Sequence, residues 1–221
     1  MLPALGACSG PQSILDPAGP PAAAVALLWW WMFGVAMVVL VGVVALWLVA
    51  LWRRPRDYTD AQARRIQLRW ILLGGIALPL GSTLVLLAFG VPTGRALLPL
   101  PDPAALRIDA IGHQWRWEIR YPGRDVRLDN ELRLPVGRPI DVHTTSTDVI
   151  HSFWVPRLGG KVDAIPGRTN VVRLQADRPG RFRGQCAEFC GLNHAEMVLT
   201  VHAMTPEAFD AWLQAQPEAA K

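Results

Sequence analysis

Charge is missing from two long stretches of the sequence, and this absence points to the fold class. No Asp, Glu, Lys or Arg occurs in residues 22–52 or 70–94. At about 1.5 Å per residue, either stretch is long enough as a helix to cross a hydrocarbon core of roughly 30 Å. Lipid offers no partner to free backbone groups, so we expect two transmembrane helices, the second kinked at Pro79. Two buried core helices are the alternative, but such helices run much shorter.

Three further absences narrow the function. Residues 105–221 carry 15 basic and 14 acidic side chains, a net charge of +1, and contain no basic tract of the kind that binds nucleic acid. No Cys-x-x-Cys-His occurs, so these residues attach no c-type haem covalently. The first histidine is His113, so the apolar stretches contain none with which to hold a haem.

Most of the basic residues before position 105 lie between the two apolar stretches. Residues 53–69 hold six arginines, whereas residues 1–24 hold no Lys or Arg. The positive-inside rule places the connector in the cytoplasm and both termini outside. We therefore expect a two-pass protein of the bacterial inner membrane with its C-terminal part on the periplasmic side. Five tryptophans near the ends of the spans fit the membrane interface: Trp29, Trp30, Trp31, Trp52 and Trp70.

The first cysteine has a different setting from the other two. Cys8 ends the run LGAC and precedes the polar, Gly- and Pro-containing segment SGPQSILDPAGPP. This pattern resembles a bacterial lipobox, in which Cys8 becomes the acylated N-terminus and membrane lipid is a partner. The seven residues before Cys8 lack the charged region of a secretory signal, which suggests a start further upstream. A free cysteine in a disordered leader is the alternative.

The remaining sequence changes from a helical period to a period of two. Residues 115–121, WRWEIRY, alternate aromatic or aliphatic with charged side chains, which predicts a half-buried strand. Two more strands are predicted in DNELRLPVGRPIDVHTTS, and three in NVVRLQA, RFRGQ and VLTVHAM. Short strands at this spacing favour a β sandwich or barrel. A last helix is predicted after Thr205 as N-cap, with Pro206 in its first position.

Together these patterns predict an α+β membrane protein. Its predicted parts are an N-terminal leader at 1–21, a two-helix transmembrane hairpin at 22–94, a Pro-rich linker at 95–104, a β sandwich or barrel at 105–204 and a C-terminal helix and tail at 205–221.

The segments DVIHSFWVP and QCAEFCGLNHAEM supply two thiols, two imidazoles and a thioether, a soft ligand set that selects copper over hard cations. These residues are His151, Cys186, Cys190, His194 and Met197. A mononuclear blue copper site needs only one Cys. A second Cys lets two thiolates bridge two copper ions, each with one His. Met197 and a backbone carbonyl, most naturally that of Glu188, then serve as weak axial ligands, an arrangement suited to electron transfer.

Other interpretations of these residues remain open at this point. Cys186 and Cys190 on the outer side of a membrane are able to form a disulfide. Two Cys and two His also suit structural zinc, although the usual zinc spacing differs. Met197 alone would more often be core packing than a ligand. The three other histidines are interpreted as non-ligands, because each lies in or beside a strand pattern without a partner: His113, His143 and His202.

These motifs, with GHQWRW at 112–117 and KVDAIPGR at 161–168, closely resemble cytochrome c oxidase subunit II. The resemblance covers most of the chain and implies two membrane spans before a cupredoxin-like domain. It implies that His151, Cys186, Cys190, His194, Met197 and the Glu188 carbonyl ligate a dinuclear copper A centre. The Glu188 side chain resembles one that reaches a magnesium shared with the catalytic subunit. Trp115 matches the exposed tryptophan to which cytochrome c delivers its electron; a core residue of a strand is the alternative.

The function implied by this resemblance is the electron-accepting subunit of a proton-pumping haem–copper oxidase. Its partners would be the catalytic subunit I, other oxidase subunits and cytochrome c, with dioxygen reduced on subunit I. A quinol oxidase subunit would lack the copper ligands, and a membrane-anchored copper chaperone would show a βαβ pattern and one anchor. A subunit of a copper-bearing nitric oxide reductase remains a further alternative.

Two departures from the family pattern affect these expectations. Where the family often has a Glu three residues before the Trp that opens the second span, this sequence has Gln67, which cannot release a proton. The acidic patch to which cytochrome c docks in the family is reduced here to Asp148 and Glu118 as its plausible remnants. We therefore expect an altered proton entrance and a donor that is less basic or membrane-bound.

Overall fold

The computed structural model describes residues 9–54 and 56–218, so Cys8 lies outside the described residues. The chain divides into two compact units. One comprises residues 27–96 and is helical; the other joins the β domain to the chain up to residue 26. The helices are α1 Pro20–Trp52, α2 Asp60–Trp70, α3 Leu78–Ala96 and α4 Pro206–Gln214, with a π-helical stretch at Ile71–Ala77 between α2 and α3.

Two helical segments are long and apolar enough to cross a membrane. Pro20–Trp52 has 33 residues and a mean hydropathy of 2.8 in its most apolar window, and Asp60–Ala96 has 37 residues and a value of 2.2. The second begins inside the charged connector, because Thr59 caps it. The Thr59 side chain accepts a hydrogen bond from the Gln62 amide, and the Gln62 side chain accepts one from the Thr59 amide, which forms a capping box.

The second span is irregular next to the proline that was expected to kink it. The π-helical stretch Ile71–Ala77 ends two residues before Pro79. Pro79 has no amide hydrogen, and its ring crowds the carbonyl four residues earlier, so regular α-helical bonding cannot continue unchanged through this turn. The helix also contains Pro92 and continues beyond it to Ala96, into the predicted linker.

The β domain consists of two five-stranded sheets that pack face to face. One has the strand order β3-β2-β1-β5-β8 and the other β4-β10-β9-β6-β7. Neighbours are antiparallel except for the pairs β1–β5 and β4–β10, which are parallel. The strands are β1 Leu106–His113, β2 Arg116–Arg120, β3 Arg127–Asp129, β4 Glu131–Pro135, β5 Ile140–Ser146, β6 His151–Trp154, β7 Lys161–Ala164, β8 Asn170–Leu174, β9 Gly180–Cys186 and β10 Val198–Met204.

The alternation of burial along the strands explains the core. In β5 and β10 every second residue is buried, as a sheet with one face inward requires. The two inner faces meet in one apolar cluster, whose largest fully buried side chains are Trp117, Phe153 and Phe209. Phe209 comes from α4, which Thr205 caps as expected. The fold class predicted from the sequence is therefore confirmed.

Four strands were not predicted, and one side chain predicted to face solvent is buried. The unpredicted strands are β1, β3, β6 and β7.

Glu118 alternates with apolar residues in sequence, yet only 9% of its side chain is exposed. It binds the Arg120 guanidinium and lies 3.3 Å from His113 Nε2 and 3.8 Å from Arg116 Nη1. Burial would raise the pKa of Glu118, but Arg120 and His113 lower it. The interpretation of Glu118 as part of an exposed acidic patch is therefore wrong.

The chain before α1 packs onto the β domain. The Ala18 amide donates to the Arg157 carbonyl, and the Ala18 carbonyl accepts from the Asp177 amide, both at 2.8 Å. Asp16 pairs with the Arg157 guanidinium at 2.8 Å. Ala18 itself is buried in the core cluster. Through these contacts the segment just before α1 is held against the β domain.

Candidate metal centre

Strand pairing brings the two sequence motifs of the predicted site together. His151 opens β6 and Cys186 closes β9, and these strands are antiparallel neighbours with Phe153 opposite Cys186. The loop after Cys186 returns to β10, the other neighbour of β9, and the Cys186 amide donates to the Met197 carbonyl at 2.9 Å. The loop is thus closed at its base, and Cys190 and His194 lie within it.

The ligand atoms form a continuous cluster. The Sγ atoms of Cys186 and Cys190 are 3.8 Å apart. Each sulfur has one imidazole beside it: His151 Nδ1 lies 3.9 Å from the Cys186 sulfur, and His194 Nδ1 lies 3.5 Å from the Cys190 sulfur. The Met197 Sδ atom is 3.9 Å from Cys190 Sγ. The ligand atoms of His151, Cys186 and Cys190 all lie within 4.8 Å of one another, close enough to hold a metal ion.

The remaining predicted ligand also lies here. The Glu188 carbonyl is 3.2 Å from Cys186 Sγ, whereas the Glu188 side chain is exposed. The structure therefore brings together all six residues that the sequence proposed as ligands. Neither cysteine is in a disulfide, since a disulfide bond needs about 2.05 Å between the sulfurs.

One side of this cluster is buried and the other reaches the surface. His151 and Met197 have no exposed area, and both cysteines are only 3% exposed. In contrast, Phe189 and Leu192 of the same loop are 76% and 91% exposed. The site is therefore shielded from water by the sandwich while its loop presents two large apolar side chains outward.

The pKa values of the Cys186 and Cys190 thiols are shifted in opposite directions. Burial by itself raises the pKa of Cys186, but hydrogen bonding to the His151 imidazole and to neighbouring backbone groups outweighs it and holds that pKa at about 7. Burial and the negative charge on Cys186 raise the pKa of Cys190 to about 12. The second thiol therefore ionises near neutral pH only when a bound cation offsets the repulsion.

Asp148 fixes the orientation of the His151 imidazole. Asp148 Oδ1 lies 2.8 Å from His151 Nε2 and accepts from the Val149 amide at 2.6 Å. Burial would raise the pKa of Asp148, but these hydrogen bonds and one from the Gln114 amide hold it at about 2. With Nε2 bonded to a carboxylate, Nδ1 is the ring nitrogen that faces Cys186, as in carboxylate–histidine–metal arrangements. Sequence reasoning treated Asp148 only as a surface charge; its position three residues before His151 was the available signal.

The turn between β1 and β2 holds the ligand loop from the other side. The side-chain amide of Gln114 and the indole N–H of Trp115 both donate to the Cys190 carbonyl, at 2.8 and 3.2 Å. Trp115 is partly exposed and lies against the loop, so it is neither fully core nor fully surface. Gly191 has a φ of +115°, and a Cβ there would lie 3.1 Å from the Gln114 amide nitrogen and 3.4 Å from the Trp115 ring. A glycine is therefore needed where the loop meets this turn.

A second glycine makes room for His151. A Cβ on Gly112 of β1 would lie only 2.7 Å from the imidazole Cδ2. Sequence reasoning missed Gly112, Gly191 and Gln114, although all three lie inside or beside the motifs it quoted.

The three histidines interpreted as non-ligands lie elsewhere. His113 Nδ1 is 2.9 Å from the Thr147 hydroxyl, and its Nε2 faces Glu118. His202 lies on β10 at 4.0 Å from a Glu131 carboxylate oxygen, and His143 lies on β5. His113 and His202 thus have side-chain partners that the sequence did not reveal, and their role as non-ligands stays a prediction.

Comparisons with known proteins point to one family. Residues 123–204 match the family model "Cytochrome C oxidase subunit II, periplasmic domain". Cytochrome c oxidase subunit 2 of Alkalihalophilus pseudofirmus is 32% identical over 225 residues, which cover 95% of this chain and 64% of that protein. The subunit 2 of Apis mellifera ligustica is 41% identical over 128 residues, or 49% of this chain and 57% of that protein. The chain thus spans about three fifths of the length of these relatives.

A solved structure, the periplasmic domain of subunit II of cytochrome oxidase of Bradyrhizobium japonicum, is 37% identical, with a TM-score of 0.49 over 52% of this chain and 94% of that chain. With two apolar helices ahead of a periplasmic domain of this kind, the protein is membrane-anchored. The family model and the relatives together show that the chain is similar to cytochrome c oxidase subunit II over most of its length.

Proposed function

We propose that this chain is the subunit at which electrons enter a haem–copper terminal oxidase. It would accept electrons from cytochrome c at a dinuclear copper centre and pass them to subunit I, where dioxygen is reduced with coupled proton pumping. The observation that carries the proposal is the symmetry of the cluster: two sulfurs 3.8 Å apart, each with one imidazole beside it. The match of residues 123–204 to the subunit II family model supports the same assignment.

The donor set fits two copper ions better than one hard cation. Thiolate, imidazole and thioether are soft or borderline ligands, which suit copper. Cys186, Cys190, His151 and His194 would hold the two ions, and two weak ligands would complete the set. These weak ligands would be Met197 and the Glu188 carbonyl. When bound, the copper pair would supply a one-electron carrier.

The protein's own residues keep this carrier rigid. Asp148 holds the His151 ring, and the backbone bond between Cys186 and Met197 closes the loop at its base. Because the sandwich buries these ligands, water is excluded and little rearrangement accompanies a change of charge. Trp115 would receive the incoming electron, since its indole is partly exposed and bonds to the Cys190 carbonyl.

The surroundings of the site suggest its partners. We propose that the β domain lies on the periplasmic side of a bacterial inner membrane, anchored by the two-helix hairpin at 22–94 with the 53–69 connector in the cytoplasm. The exposed Glu188 side chain would reach magnesium at the contact with subunit I, and Cys8 would carry a lipid. The leader would end at residue 21. The linker would occupy residues 95–104, the β domain 105–204, and the C-terminal helix and tail 205–221.

Metal analysis of the full chain in detergent tests this proposal. We expect two copper ions per chain and an electron paramagnetic resonance spectrum of one unpaired electron shared by two equivalent copper nuclei. One copper per chain, or zinc alone, would contradict the dinuclear assignment. Dioxygen and nitric oxide consumption by the purified complex would then distinguish an oxidase from a nitric oxide reductase.

A further inference from the structure

The turn between β1 and β2 contacts both halves of the candidate ligand set through one residue. Gln114 has two donor groups. Its backbone amide donates to Asp148 Oδ2 at 2.7 Å, and its side-chain amide donates to the Cys190 carbonyl at 2.8 Å. Asp148 in turn holds His151, and Cys190 belongs to the ligand loop.

These two contacts join parts of the chain that strand pairing alone does not connect. His151 is fixed at the start of β6, and the loop is closed at its base by the Cys186–Met197 backbone bond. Cys190 lies in the middle of the loop, away from that base. Its carbonyl bonds outward to the turn, which is itself anchored to the Asp148 carboxylate.

The chemistry at this point favours an amide. The Cys190 carbonyl can only accept, so a side chain in this place must donate. The Gln114 side-chain amide does so without a charge beside the thiols, and its backbone amide donates to the Asp148 carboxylate. Gly191 lets the amide approach, since any Cβ there would crowd the Gln114 nitrogen at 3.1 Å.

We propose that Gln114 is a positioning residue for the metal centre: it ties the Cys190 carbonyl to the carboxylate that orients His151, and so sets the separation of the two halves of the ligand set. This inference deepens the proposed function, and its copper-loaded arm rests on it. Gln114 would touch no metal and carry no electron.

The test uses the full chain in detergent in a Cys8→Ser background, so that only Cys186 and Cys190 contribute thiols. Gln114→Met keeps the length of the side chain and removes the donor. Gln114→Asn keeps the amide but shortens its reach by one methylene. The matched control is Gln216→Met, because Gln216 also donates its amide to a backbone carbonyl, that of Trp212, far from the site.

Two readouts are needed. In the metal-free chain, the rate at which a disulfide reagent modifies the two thiols reports loop opening. We expect Gln114→Met and Gln114→Asn to raise it about two- to tenfold, as the loss of one hydrogen bond predicts. In the chain loaded with copper salt, we expect an altered paramagnetic spectrum and faster copper loss to a chelator, with two coppers still bound. Gln216→Met should match the parent in both.

The outcomes separate this inference from the proposed function. Parental thiol rates and spectra in both Gln114 variants would overturn the positioning role. A rise in hydrogen exchange throughout both sheets would also overturn it, since the effect would then be global unfolding. If the parent binds no copper, the proposed function fails, while the thiol rates of the metal-free chain still decide the role of Gln114.

Discussion

The helical unit and the β domain use apolar residues in different ways. In α1 most large side chains from Leu27 to Trp52 are exposed, as expected of a surface that meets lipid. In the β domain, buried and partly exposed positions alternate, and residues such as Trp117 have 1% exposure or less. The helices need only suitable composition over a sufficient length, whereas the domain needs a particular residue at each inward position. Substitutions should therefore be tolerated better in the helices than at the inward positions of the β domain.

The largest effect is expected at the metal cluster of the β domain. Under the proposed function, Cys186→Ser should reduce bound copper from two ions per chain to near zero, because the Cys186 thiolate would serve both ions. Met197→Leu should keep both ions and shift the reduction potential, because an axial thioether tunes the site more than it holds the metal. Copper quantification and redox titration of the full chain measure both. Equal copper loss in the two variants would contradict this ranking.

A core substitution should show the contrast between the regions most directly. Trp117 packs edge-on against Phe153 with ring centroids 5.3 Å apart and lies 5.9 Å from the His151 ring. Trp117→Ala should destabilise the β domain by about 3–5 kcal/mol. Trp47→Ala, at a 60%-exposed position of α1, should leave it unchanged. Hydrogen exchange of the strands measures both; equal protection in the two variants would break the comparison.

Acid should weaken the site through Asp148. Its pKa is about 2 in the folded chain against 3.8 ordinarily, so the unfolded state binds the proton more readily. This stabilisation is present above pH 3.8 and is lost as the pH falls through about 2. It amounts to at most about 2 kcal/mol. In the metal-free parent chain, the β6 amides should lose protection from hydrogen exchange as the pH falls, and in Asp148→Asn this pH dependence should be absent. The same pH profile in both chains would contradict the role of Asp148.

The turn at Trp115 should affect electron delivery more than folding. Trp115→Ala should reduce oxidase turnover with cytochrome c at least several-fold and leave the copper content intact, because the partly exposed indole would no longer lie between donor and site. Stopped-flow reduction of the copper centre is the measurement. Unchanged kinetics would return Trp115 to a packing role.

The smallest effect is expected in the helical unit. Gln67 lies on α2 among Arg64, Arg65 and Arg69, all exposed. Gln67→Glu should raise proton-limited turnover modestly or leave it unchanged. The neighbouring guanidinium groups would pair with the new carboxylate, and Asp57 or Asp60 already supplies a carboxylate in this connector. Steady-state turnover of the parent and the Gln67→Glu variant, measured against pH, tests this prediction. A collapse of activity would show that Gln67 has a specific structural role.

The sequence predicted well which soft side chains lie close together, because they sit in two short motifs with distinctive chemistry. It predicted fewer of the strands, and it missed β6, although His151 opens that strand. A four-residue strand with three buried positions carries no alternation to detect. Glu118 does alternate with apolar neighbours and was therefore taken as exposed, but in the fold it lies beside His113 and Arg120 and only 9% of its side chain is exposed.

The sequence by itself determined the two apolar helices, the β class of the following domain and the set of soft ligands, because length, period and residue chemistry are local properties. Only the tertiary structure decided which imidazole faces which sulfur, that Asp148 orients His151 and that Gln114 reaches the Cys190 carbonyl. The Gln114–Asp148, His151–Cys186 and Gln114–Cys190 contacts join residues 34 to 76 positions apart. Asp148 and His151 are three positions apart, and their contact depends on the path of the chain between β5 and β6. The pairing of β6 with β9 and of β9 with β10 sets such distances, and a strand's own period fixes its faces but not its neighbours.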